Sequence, residues 1–92
     1  MVKVRAEASG GGWTCHVTVE HGGEHTDHSV RIAQADLERW GRGTEQKDVE
    51  ELVARSFDFL LEREPATSIL RMFDLSVIPR YYPEYDRIFR DR

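Results

Sequence analysis

The stretch Asp48-Val49-Glu50-Glu51-Leu52-Val53-Ala54-Arg55-Ser56-Phe57-Asp58-Phe59-Leu60-Leu61 decides how this chain folds. Val49, Leu52, Val53, Phe57, Leu60 and Leu61 recur at steps of three and four, and small Ser56 fills the remaining step of the same stripe. That spacing predicts an α-helix with one apolar face. Asp48, Glu50, Glu51, Arg55, Asp58 and Glu62 fall on the other side. Thr44 is the expected N-cap, the charges of Glu45 and Asp48 suit a helix start, and the helix is expected to run over 48–64 and stop at Pro65. A helix of this kind takes most of its stability from what its greasy face packs on.

The first third of the chain supplies that partner. Val2, Val4, Ala6 and Ala8 alternate with charged residues, then Trp13, Cys15, Val17 and Val19, then Thr26, His28, Val30 and Ile32. Each alternation is the period of a half-buried strand. Gly10-Gly11 and Gly22-Gly23 separate them, and two-residue turns at both places set a register: Val4 faces Val17, Ala6 faces Cys15, Cys15 faces Val30 and Trp13 faces Ile32. A slip of one residue would turn a strand's apolar set outward, so the agreement of all three strands predicts a three-stranded antiparallel meander with one apolar face. Burying Leu52, Phe57, Leu60 and Leu61 on that face would contribute about 1.5–3 kcal/mol each.

Around these two pieces the signals are shorter. Ala33, Leu37 and Trp40 predict a short helix ended by a glycine signal at Gly41. Past Pro65, Thr67 or Ser68 could cap a helix over Ile69–Phe73, Asp74-Leu75-Ser76 reads as a turn, Val77-Ile78-Pro79 is ambiguous, and Pro83 can open a helix from Glu84 to Arg90. The expected architecture is therefore α+β. A three-stranded antiparallel meander (1–32) has one face covered by a long amphipathic helix within a helical layer (33–64). Short C-terminal helices form an extension (65–92), all within one small domain. The extension is rich in apolar and aromatic residues, so it is expected to dock on the domain or on a partner.

Composition narrows the function classes. With 92 residues, 39% hydrophobic and 33% charged, the chain has the makeup of a small globular protein. Its net charge of −4 argues against a protein built to coat nucleic acid. The acidity sits in 33–64, and the tail is slightly basic. One cysteine, Cys15, allows no internal disulfide. No apolar run approaches the ~20 residues that span a bilayer, and the alternating start lacks a signal peptide's apolar core. The expectation is a cytoplasmic protein with no membrane partner.

Four histidines, His16, His21, His25 and His28, crowd one hairpin beside Cys15, Glu20, Glu24 and Asp27. His21 and His25 are the candidate metal ligands. Strand parity works against a site, because His28 belongs to the apolar face while His16 and His25 belong to the polar one. Cross-strand pairs such as Glu20–His25 and Thr18–Asp27 are the simpler reading. Parity also separates Cys15 from His16, so Cys15 reads as a buried structural thiol and not as a nucleophile. No nucleophile elbow occurs, and Gly10-Gly11-Gly12 lacks the lysine and helix start of a phosphate loop. The chain is expected to be no enzyme and to need no cofactor.

Ser68 to Tyr82 can be read as a helix–turn–helix with Arg80, Tyr81 and Tyr82 offered to DNA. Pro79 removes a donor from the second helix, which favours a capping element that completes the core. Arg71, Arg80, Tyr81 and Tyr82 are the candidate partner-binding residues on either reading.

Two resemblances follow from these residues. The run Glu51-Leu52-Val53, Ser56-Phe57, Phe59-Leu60-Leu61-Glu62-Arg63-Glu64-Pro65, Ser68-Ile69-Leu70, Phe73, Leu75, Ile78 and Arg80-Tyr81-Tyr82-Pro83-Glu84-Tyr85 resembles a C-terminal signature of small uncharacterised bacterial proteins, which carries no activity with it. Three short strands followed by the Asp48-to-Glu62 helix are similar in layout to HicB-type antitoxins, which pair a small sheet–helix domain with a DNA-binding end. That family adds a strand after the helix, where this sequence shows Pro65 and helix-like residues. The resemblance implies an antitoxin-like DNA-binding regulator and transfers no functional residue. The first expectation is a non-enzymatic protein-binding or adaptor module, self-associating or joined to another protein; the DNA-binding regulator and a histidine metal site are the alternatives.

Overall fold

The computed structural model describes residues 1–90, so the last two positions of the C-terminal segment lie outside the described residues. The chain forms an α+β fold. Its strands are β1 (Val2–Ser9), β2 (Gly12–His21), β3 (Glu24–Ala33) and β4 (Met72–Asp74). Its helices are α1 (Gln34–Trp40), α2 (Gln46–Leu61), α3 (Ile78–Tyr81) and α4 (Glu84–Arg90). Single 3₁₀ turns cover Ala66–Ser68 and Leu75–Val77.

The meander has the register set by the double glycines: Val4 opposite Val17, Ala6 opposite Cys15, Cys15 opposite Val30, Trp13 opposite Ile32. Gly10, Gly11, Gly22 and Gly23 all have positive φ. Two successive positive-φ residues make the type I′ turn whose twist matches that of paired strands, and only glycine takes it at no steric cost. Cys15, Val17, Val19, Val30 and Ile32 are buried on the inner face.

The sheet has four strands, in the order β1-β2-β3-β4, and the fourth runs parallel to β3. This corrects the expectation of three strands and of a helix over Ile69–Phe73. Pro65 does stop α2, but the chain then makes one 3₁₀ turn and extends. Ser29 N–H donates to Arg71 O at 2.7 Å, and Val30 pairs with Phe73. The tertiary context decides the outcome: β3 presents an unfilled row of backbone groups, and three residues are enough to occupy it.

The organising helix begins earlier than expected and is shorter. Glu45, and not Thr44, is its N-cap, and Glu45 N–H donates to Asp48 Oδ2 at 3.0 Å, one arm of a capping box. Val49, Leu52, Val53, Ser56, Phe57 and Leu60 are buried, and Leu61 is half-buried. Phe59, off the predicted stripe, is buried as well, because α2 has a second covered side. Phe59 meets Tyr82, Tyr85 and Phe89 edge to face, with ring centroids 5.9, 5.3 and 5.9 Å away. The helix lies chiefly along β1, while α1 and the 75–77 turn cover β3. The apolar face is thus shared among three elements and not covered by one.

Gly41 ends α1 as expected, though not by a left-handed turn, since its φ is −83°. A Cβ there would lie 2.7 Å from Leu37 O and 2.8 Å from Leu37 Cδ1, so close approach is what requires glycine. Among the described residues, no helix is long and apolar enough to cross a membrane.

Candidate functional site

The two edges of the sheet are treated differently. On β1, Ala6 turns its backbone groups outward; its N–H donates to Glu50 Oε2 at 2.9 Å and its carbonyl accepts from Gln46 Nε2 at 3.0 Å. Side chains of α2 therefore stand in for a neighbouring strand there. On β4, Ser29 bonds Arg71 O, so by the alternation of a parallel ladder Met72 directs its own N–H and C=O away from β3. Among the described residues no hydrogen bond reaches that edge of Met72, and Met72 is 78% exposed.

Beside this edge lies a groove of about 350 Å³. Leu60 from the end of α2, Glu64 just past it, Ser68, Ile69 and Leu70 from the segment before β4, Phe73 of β4, and Val77, Ile78, Tyr81 and Tyr82 beyond it form the groove. The sequence brings these pieces together in order. Pro65 ends α2, the 3₁₀ turn reverses the chain, and the Leu70 carbonyl is fixed by His28 Nδ1 at 2.7 Å. Asp74 then caps the next turn by accepting from Ser76 N–H at 3.0 Å, and Pro79 sits in the first turn of α3, where its missing N–H costs nothing. Leu70 and Tyr81 stand at 52% and 71% exposure.

Glu64 is the charged member of the lining. Tyr82 donates to Glu64 Oε2 at 2.6 Å, and that bond to a carboxylate raises the Tyr82 phenol above its ordinary range. Arg63 next to it is held on the other side: its guanidinium lies 3.6 Å from the Phe59 ring centroid and donates to Phe59 O at 2.9 Å and Glu84 Oε2 at 3.2 Å.

Of the four residues singled out from the sequence, Tyr81 and Tyr82 line the groove; Arg71 and Arg80 are exposed but do not. Leu60, Glu64, Ile69, Leu70, Phe73, Val77 and Ile78 were not foreseen. The sequence signal that could have found them is the density of apolar residues after Pro65, greater than a three-stranded core could absorb. The helix–turn–helix reading of 68–82 needs two helices. The first is replaced by β4 and the second, α3, has four residues, so no recognition helix is formed there.

The hairpin histidines are spread by strand parity. His28 is buried, with Nε2 3.0 Å from Thr26 Oγ1, while His16, His21 and His25 are exposed. His25 Nε2 lies 3.1 Å from Asp27 Oδ2 and its Nδ1 lies 3.9 Å from Glu20. Asp27 also accepts from Thr18 Oγ1 at 3.0 Å, and these bonds, Thr18 first, hold its carboxyl below the usual range. Among the described residues, no three His, Cys, Asp or Glu side chains are grouped to hold a metal ion, and His21 and His25 share no such group. Cys15 is fully buried, and burial pushes its thiol up to about 12. Comparison with known proteins finds no matching family model, no matching curated protein and no matching solved structure.

Proposed function

We propose that this chain is a protein-binding module that works through the open edge of β4 and the apolar groove beside it. The observation that carries the reading is the contrast between the two sheet edges: the middle of β1 is capped at Ala6 by Gln46 and Glu50, whereas among the described residues no such bond reaches Met72 on β4, next to exposed Leu70 and Tyr81. An unpaired strand edge offers backbone hydrogen bonds to an extended segment, and a flanking apolar groove offers sites for its alternate side chains. A second copy of the chain is one such partner, since the same patch carries both the groove and the projecting apolar groups.

A photo-crosslinking residue at Tyr81, in the full chain in its own cells, tests this. The expected result is a discrete protein adduct that is absent when the residue is placed at Thr18 on the polar face. The adduct should also be lost in Met72→Pro, which removes the outward N–H while keeping the β3–β4 bonds. No adduct from Tyr81, or an adduct that nuclease removes, overturns the reading.

A further inference from the structure

We propose that the groove recognises a cationic side chain: an extended partner segment lying along β4 presents an arginine whose stem rests on Tyr81 and Tyr82 and whose guanidinium meets Glu64. The proposal rests on the reading that this face binds protein, and it names what the partner must carry. Glu64 is the charged side chain among the lining residues, and the rest of the wall is largely aliphatic and aromatic. None of the ion pairs among the described residues includes Glu64. Its hydrogen bond from Tyr82 uses one of the four or so acceptor positions of a carboxylate.

Among the described residues, no ion pair from the chain's own cations takes up that capacity. Arg63 is committed to the Phe59 ring and to Glu84, Arg71 and Arg80 do not line the groove, Lys47 lies at the opposite end of α2, and Lys3 is on β1. A carboxylate set among apolar walls favours an occupant of opposite charge, because complementary charge fixes which partner and which register fit. The occupant must also cover apolar surface. A long aliphatic stem ending in a cation meets both demands, and the tyrosine rings add cation–π attraction. Arginine fits better than lysine, since its planar fork can bond a carboxylate twice and stack on an aromatic ring. A strand added to β4 turns every second side chain toward the face on which Phe73 lies, which delivers such a residue to the groove.

The test is calorimetric titration of the full chain with the peptide acetyl-Thr-Val-Thr-Arg-Thr-Val-Thr-amide and with its citrulline counterpart, which keeps the shape and removes the charge. The arginine peptide is expected to bind about tenfold or more tightly, the worth of one charge-assisted hydrogen bond. In Glu64→Gln the two peptides should bind within about twofold of each other. Equal affinities on the unaltered chain overturn the cationic specificity and leave strand addition standing. A preference that survives Glu64→Gln overturns it too, by placing the recognising group elsewhere. Binding of neither peptide also overturns it, and the Tyr81 crosslink then decides separately whether the face binds protein at all.

Discussion

Ser56 sits on the buried stripe of α2, where its size suggests only a filler. Its hydroxyl donates to Leu52 O at 2.7 Å, which leaves a lone pair for the Tyr85 hydroxyl, also at 2.7 Å. Burial raises the Tyr85 phenol well above its ordinary value, so it stays a donor. The two possible deletions therefore differ. Ser56→Ala leaves a buried Tyr85 O–H without its acceptor and should cost about 1–3 kcal/mol. Tyr85→Phe leaves Ser56 still bonded to Leu52 and should cost about 0.5–1.5 kcal/mol. Urea unfolding of both variants checks the order, and a larger loss for Tyr85→Phe would show that the Ser56 hydroxyl, not the Tyr85 O–H, is the costlier group to leave without its partner. The identity of Ser56 was legible as part of the stripe, but its bond was not, because Tyr85 lies 29 positions away. Cys15 was fully legible, since strand parity alone puts it inward.

Among the elements, β1 shows what a managed edge looks like. The Ala6 N–H receives a charged acceptor from α2, so Glu50→Ala should loosen that one amide more than its neighbours. The expected cost is about 1–2 kcal/mol. Hydrogen exchange at Ala6 should quicken about 5- to 30-fold, while Arg5 and Glu7, whose amides face β2, keep their protection. An unchanged Ala6 rate would mean that the helix dipping over the edge, and not the carboxylate, protects it. The meander could be read from sequence because two double-glycine bends and a two-residue period leave a single register. β4 could not. Ile69-Leu70-Arg71-Met72-Phe73 is a short apolar run with no period of its own, and a three-residue strand is made by its neighbour. The groove was hidden for the same reason. Tyr81 and Tyr82 stood out beside Arg80 as candidate contact residues, whereas Glu64 and Leu60 join them only once the chain past Pro65 has come back against the end of α2.

For the molecule as a whole, the C-terminal third is core and not an appendage. Ile69, Leu75, Ile78, Tyr85 and Phe89 are all buried. Together they stand for roughly 8–15 kcal/mol of apolar burial, as much as the roughly 5–15 kcal/mol that keeps a typical domain folded. A chain cut after Glu64 should therefore lose its cooperative thermal transition and bind a hydrophobic dye such as ANS; a sharp transition in the fragment would make the last third dispensable.

The bond from His28 to the Leu70 carbonyl joins residues 42 positions apart, and it has a consequence in time. A hairpin closes in about 1–10 μs, but a ribosome adding roughly 5–20 residues per second needs several seconds to reach Leu70 after His28. Through that interval the part of the apolar face over β3 that the 75–77 turn will cover has no cover yet. The fragment ending at Glu64 is a frozen image of that moment, and a nascent chain in this state is a client for any chaperone that shields greasy β surfaces.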